Sequence, residues 1–307
     1  LGLKMSVSRL SQISNIFASP STVAFSVLFT LEPLHRSIII TVIPLMTLEH
    51  LETPQAVSFF FFSIGVFALI MSMAVPWLIT HIKRRGTFFL GIVIGISAMI
   101  LFMWNGIWSL SIGMMMHLFA ASCIDVSLNL YMMEHIKRRS FGGFEPIRMF
   151  FLALAWCIGP FLGVYLRNKF SVEAPFLLGI LVLVMFILYF VCVGFKEGLT
   201  NPAQRMSLTN PLLYLPRFFL QPRLRLVYML SLMRSGWWTM FFIYVPIYCV
   251  SSGLGESMGG ALVSLGTACV MATPLLRGSI RKYGIRRILQ YGYVGTGLMT
   301  IFLSFIM

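Results

Sequence analysis

The sequence predicts an all-α, polytopic membrane protein, and three observations carry that prediction. Of 307 residues, 58% are hydrophobic and only 10% are charged, where soluble domains carry about 25% charged residues; mean hydropathy is +0.90. The apolar residues are gathered into runs of the length a helix needs to cross a bilayer. The basic residues fall in the gaps between those runs, and mostly in alternate gaps, so the formal net charge of +14 reads as membrane topology rather than as a nucleic-acid surface.

Nine spans are expected, at 22–47, 55–80, 87–104, 107–133, 147–166, 174–195, 225–250, 257–276 and 288–307. The segment before them, Leu1 to Pro20, has no cleavage-site pattern of a signal peptide. With the N-terminus inside, the cytoplasmic segments hold Lys4 and Arg9, then Lys83, Arg84 and Arg85, then Lys137, Arg138, Arg139 and Arg148. Further along they hold Lys196, Arg205, Arg217, Arg223 and Arg225, then Arg277, Arg281, Lys282, Arg286 and Arg287. Only Arg167 and Lys169 fall in outer loops, with the acids Glu49, Glu52, Glu173 and Glu256, and only Arg36 and Arg234 fall inside spans. That asymmetry places the N-terminus in the cytoplasm.

The gap at 196–224 is longer than the others and contains Asn201-Pro202, Asn210-Pro211, Pro216 and Pro222. Its apolar and aromatic part, Leu212 to Leu220, reads either as a short helix on the inner membrane surface or as plain linker. It divides the chain into a six-helix unit at 1–195, a cytoplasmic loop at 196–224 and a three-helix unit at 225–307. An internal repeat supports the division. Arg36-Ser37-x-x-x-Thr41 of the first span recurs as Arg234-Ser235-x-x-x-Thr239 of the seventh, and a proline follows each, Pro44 and Pro246. Basic loops after the second and eighth spans match as well. Two parallel repeats of this kind are a known transporter plan.

Charge inside the first span is the strongest local signal. Glu32-Pro33-Leu34-His35-Arg36 puts an acid, an imidazole and a guanidinium within five positions. A charge at bilayer depth costs about 2.5–3.5 kcal/mol on insertion scales, so it faces protein or a water-filled cavity. Glu32 and Arg36, four apart, share a helix face and can neutralise each other. The cluster reads as the polar wall of a solute pathway, or else as an ion pair buried for packing alone. The fourth span adds His117, Asp125 and Asn129, the last two on one face.

Pro76-Trp77-Leu78-Ile79-Thr80-His81-Ile82-Lys83-Arg84-Arg85 and Arg281-Lys282-Tyr283-Gly284-Ile285-Arg286-Arg287 resemble the G-x-L-x-D-R-x-G-R-R loop of the major facilitator superfamily. Leu78, Arg84 and Arg85 match it; Pro76, Thr80 and Lys83 stand where that loop has glycine, aspartate and glycine. In the second copy Gly284 holds the glycine position, and Arg281 stands where the acid belongs. Gly159-Pro160-Phe161-Leu162-Gly163 is similar to the G-P-x-x-G core of a motif seen in exporters of that family, with Ala155 and Val164 replacing two flanking glycines. Its content from the residues alone is close helix packing at a kink.

The resemblance implies two six-helix bundles, so that nine of twelve helices are expected in a fragment lacking the last three. It also implies alternating access around a site near the midplane, lined by the first, fourth and seventh helices. On that reading Arg36, Arg234, Glu32, His35, Asp125 and Asn129 bind solute, Asp125 and Glu32 couple transport to protons or exchange, and Lys83, Arg84, Arg85, Arg286 and Arg287 belong to gating loops. Paired arginines on the first and seventh helices are found in the organophosphate exchangers of the superfamily. Guanidinium chemistry suits carboxylate and phosphate, so a small organic anion is the expected solute.

The expected partners are that solute and membrane lipid, with no nucleic acid, no cofactor and no metal, in a bacterial inner membrane. No catalytic motif is present, and five cysteines without C-x-x-C spacing read as buried free thiols. Two rival readings are a non-transporting scaffold or assembly factor on the same fold and a ten-helix drug/metabolite-type carrier. The second would place an internal repeat near half the chain length.

Overall fold

A computed structural model describes residues 20–136, 141–195, 215–275 and 282–306. The basic residues Lys4, Arg9, Lys137, Arg138, Arg139, Lys196, Arg205, Arg277 and Arg281, and the link from 196 to 214, lie outside the described residues. All regular structure among the described residues is helical. Six stretches are long and apolar enough to cross a membrane, from Thr22–Leu51 to Ala174–Val193.

The first span is two helices, α1 (Pro20–Ile39) and α2 (Val42–Leu51). The second begins as α3 (Pro54–Ser72), breaks at Met73-Ala74 and resumes in α4 (Val75–Met103). Both breaks have the same cause. Pro44 and Pro76 deny a hydrogen bond to the carbonyl four residues back and crowd it, which places the interruptions near Ile40 and Ser72. The turn between the second and third spans is a single residue inside α4, Lys83, at φ 61 and ψ 168. The third span therefore starts at Arg84, earlier than the apolar run indicates. α5 (Ile107–His135), α6 (Phe141–Lys169) and α7 (Ala174–Val193) complete the first six spans.

The inner-surface helix expected near Leu212 to Leu220 is the short α8 (Leu215–Leu220), and the seventh span begins early, as α9 (Pro222–Ser251). The eighth is a short helix, α10 (Glu256–Ala268), continued by a 3-10 turn at Cys269–Leu275, and α11 (Ile285–Ile306) stands where the ninth is expected.

Lys83 matters because its backbone conformation belongs to glycine. A side chain there costs about 1–3 kcal/mol in strain. Gly284, at the matching position of the second basic loop, has φ 81. The two loops thus share a backbone device that only one of them fills with the residue suited to it. Lys83→Gly should stabilise the detergent-solubilised protein by about 1 kcal/mol once the extra freedom of an unfolded glycine is deducted, and so raise its melting temperature. An unchanged or lower melting temperature would contradict the strain.

α6 is the centre of the packing, lying against α1 on one side and α10 on the other. Glycines allow the approach. A Cβ built on Gly163 would lie 1.8 Å from the Ile38 carbonyl oxygen, one on Gly159 1.9 Å from Ser37 Oγ, and one on Gly260 of α10 3.2 Å from the Pro160 oxygen. Pro160 leaves the Trp156 carbonyl without its helical donor. The Thr267 hydroxyl supplies one at 2.7 Å, while the Phe161 N–H donates to Ser264 Oγ at 3.0 Å. From the other side Thr41 donates to the Pro160 carbonyl at 3.0 Å and Ser37 to that of Ala155 at 2.9 Å. At Pro160 α6 is thereby stitched to its neighbours on both sides, which accords with close packing at Gly159-Pro160.

Of the cysteines, Cys123 and Cys249 are buried as expected. Cys192 and Cys269 are exposed, a correction that follows from their lying on outward faces of α7 and of the turn after α10.

Candidate functional site

Arg36 lies near the middle of the thirty-residue Thr22–Leu51 span, which is where lipid would penalise it most. Two carboxylates hold it. Its Nη1 donates to Glu32 Oε1 at 2.9 Å, one turn back on α1, and to Asp125 Oδ2 at 3.1 Å across on α5. The acids differ in setting: the Glu32 side chain is 4% exposed and that of Asp125 43% exposed, with Arg36 between them at 28%. Both carboxylates use the same nitrogen. Nε and Nη2, the forked edge that grips carboxylate or phosphate in two parallel hydrogen bonds, make no hydrogen bond among the described residues. With both acids ionised the triad carries one net negative charge.

Asn129 donates from Nδ2 to the Asp125 backbone carbonyl one turn back, at 2.9 Å, and makes no hydrogen bond to the triad's side chains. His35, next to Arg36 on α1, points the other way. It is 1% exposed, and its ring meets that of His117 of α5, 5% exposed, edge to face with centroids 5.7 Å apart. A lone His117 gives no sign of this in the sequence, because apolar runs do not reveal how two helices are rotated against each other.

Arg234 sits on an exposed stretch of α9 and forms no ion pair among the described residues. On the following turns Trp237 stacks on Phe241 at 5.4 Å and 7°, while Trp238 and Trp156 of α6 flank Phe242 at 5.4 and 5.0 Å. Trp156 ties this aromatic group to α6, and Tyr244 contributes elsewhere, meeting Ser58 of α3.

The five basic residues of the two loops divide. Arg84 is 2% exposed, paired with Glu134 of α5 and set 4.4 Å over the Tyr131 ring. Lys83, Arg85, Arg286 and Arg287 are exposed. Arg84 thus fastens the start of the third span to the end of the fourth, while its neighbours face outward. Nearby, Glu145 and Arg148 pair within α6.

At the opposite end of the helices lies a second hub that sequence reasoning missed. Arg167, expected in a loop, lies in the last turn of α6 with a side chain only 7% exposed. It pairs with Glu49 at the end of α2 and reaches Glu256 at the start of α10 at 3.7 Å. Next to it Asn168 donates to Ser257 at 3.3 Å. The one signal in the sequence is a pair of cations, Arg167 and Lys169, in outer segments otherwise occupied by acids. Below this hub Val57, Ile243 and Ile247 pack with Leu48, Leu51 and Phe61, closing α2, α3 and α9 together. Among the described residues no three His, Cys, Asp or Glu side chains converge as metal ligands.

Comparison with known proteins completes the picture. None of the curated proteins compared with the chain is a detectable relative. The sequence profile described as Major Facilitator Superfamily matches residues 25–307, which takes in all eleven α-helices of the described residues except the first turn of α1. The chain belongs to the Major Facilitator Superfamily, and so to a family of membrane transporters.

Proposed function

We propose that the protein carries a small organic anion by alternating access, with uptake of a proton at the Glu32–Arg36–Asp125 triad. The observation that carries this reading is the use of Arg36: two carboxylates hold one nitrogen and leave the Nε–Nη2 edge open. Protonation of Asp125, the more exposed acid, removes one of the charges that neutralise the guanidinium. The triad is then neutral, and an anion placed on the open edge returns it to one net negative charge, so that proton and solute bind as a neutral pair. Arg234 at the matching repeat position offers a second cation. Its exposure and lack of an ion partner among the described residues suit that role.

The closed packing around Arg167, Glu49 and Glu256 supports a state shut at that end. The basic bias supports that end being outside and the N-terminus cytoplasmic, in what we propose is a bacterial inner membrane. The Lys83, Arg84, Arg85, Arg286 and Arg287 loops would then move at the inner face as the two repeats rock.

The test is uptake by the full-length protein in liposomes of small organic phosphates, small carboxylates and organic cations, with and without an inwardly acid gradient. A cysteine reporter at Glu52 or Arg85, both exposed, shows which face is outside. Anion accumulation should follow the proton gradient. Arg36→Gln should lose it by more than about 100-fold, the scale of a charge-assisted contact of roughly 3 kcal/mol, and Asp125→Asn should lose its dependence on the gradient. Selective cation uptake, or anion uptake untouched by Arg36→Gln, would overturn the reading.

A further inference from the structure

Burying two imidazoles against each other inside a membrane span is costly unless they find partners, because an unpaired polar group loses its water without replacement. His35 and His117 are in that position. Nδ1 of each ring makes no hydrogen bond among the described residues. The backbone of Glu32 and Leu31 lies within reach of the His35 ring. Phe102 of α4 covers His117 with centroids 6.2 Å apart, so the surroundings are apolar on that side.

We propose that His35 and His117 form a proton-holding pair, distinct from the carboxylates, in which one proton is shared between the two rings. An N–H···N bond of about 2.9 Å between two imidazoles sets their centroids about 5 Å apart when in line, so from the observed 5.7 Å the rings must turn and also approach by about half an ångström to close it. The proton comes from bulk water and returns to it, one ring donating its N–H and the other accepting on its lone pair.

The charged group that acts on the pair is Arg36 of α1, to which Glu32 of α1 and Asp125 of α5 are attached. No charged side chain of α4, α6 or α7 acts on either ring among the described residues. Arg36 therefore governs whether the pair holds its proton. A solute anion on Arg36 screens the guanidinium from the rings and favours proton uptake. This deepens the proposed function, since it rests on Arg36 as the solute residue, and it names a second proton site beside Asp125.

The experiment separates the two ideas. The full-length protein, with nitrogen-labelled histidine, is titrated between about pH 4 and 9, and the signals of His35, His50 and His117 are assigned by single replacement. Proton release on a pH jump is counted in the same preparations. His35 and His117 should titrate as a coupled pair, so that His35→Gln changes the titration of His117 and His117→Gln that of His35. Each replacement should remove one releasable proton per chain. His50→Gln, at an exposed ring bonded to Asn105, should change neither signal. Independent titration of the two rings, no titration at all in that range, or an unchanged proton count in both variants would overturn the pair. These readouts need no transport, so a coupled pair in a protein that carries no anion would leave this inference standing and remove the functional one.

Discussion

Gly163→Ala should lose most of its folded, monodisperse yield in detergent, and the fraction that folds should melt far below wild type. The added methyl would sit 1.8 Å from the Ile38 carbonyl oxygen, and a flexible side chain is not what stands in the way: backbone is. Overpacking a well-filled core costs about 1–3 kcal/mol when neighbours can shift. Here α1 and α6 must separate, which also breaks the bonds from Ser37 and Thr41 to α6. A loss at or above the top of that range follows. Gly159→Ala should behave alike, with Ser37 Oγ at 1.9 Å. Gly65→Ala on α3 is the control. Nothing lies within 4 Å of its Cβ position, so a neutral change or a gain of about 0.5–1 kcal/mol is expected. Thermal unfolding of the three variants reads the result, and Gly163→Ala melting with wild type would dismiss the close seam.

That seam also marks how far the sequence can be read. Gly159, Pro160 and Gly163 announce close approach and an unpaired carbonyl, because those needs are local. Which residues meet them is not local. Thr267 and Ser264 lie more than a hundred positions away and look like any hydroxyls on an apolar run. Charge is legible for the opposite reason. Glu32, Arg36 and Asp125 have no acceptable place in lipid, so their burial against protein follows from the amino-acid order alone, and their mutual contact is what the folded chain adds. The meeting of His35 with His117, and of Arg167 with Glu49 and Glu256, is not legible, because each depends on the rotation and neighbour order of several helices. The breaks after Ile39 and Ser72 are foreshadowed by Pro44 and Pro76. The same residue type at Pro33 and Pro246 leaves its helix continuous, so a proline alone does not tell a break from a continuous helix. By residue type Lys83 is a departure from a motif. Its positive φ shows that the glycine's conformation is kept although the glycine is not.

Arg36→Gln should destabilise the protein through one acid rather than both. Glutamine is neutral and leaves two carboxylates without their cation. Asp125, with 43% of its side chain exposed, keeps much of its solvation and loses little. Glu32, at 4%, is left as a lone buried charge. Removing one partner of a buried pair costs about 3–5 kcal/mol, whereas neutralising both can cost almost nothing. The double variant Glu32→Gln/Arg36→Gln should therefore recover most of the melting temperature lost by Arg36→Gln alone. Asp125→Asn/Arg36→Gln should recover little. None of these variants should restore anion uptake, because each lacks the guanidinium, so stability and transport part company along the series. Melting temperatures of the four proteins, read at one scan rate because membrane proteins often unfold irreversibly, decide it. If the Asp125 double were rescued as well as the Glu32 double, the two carboxylates would be equivalent partners, and the assignment of Asp125 as the exchangeable, proton-accepting one would fall.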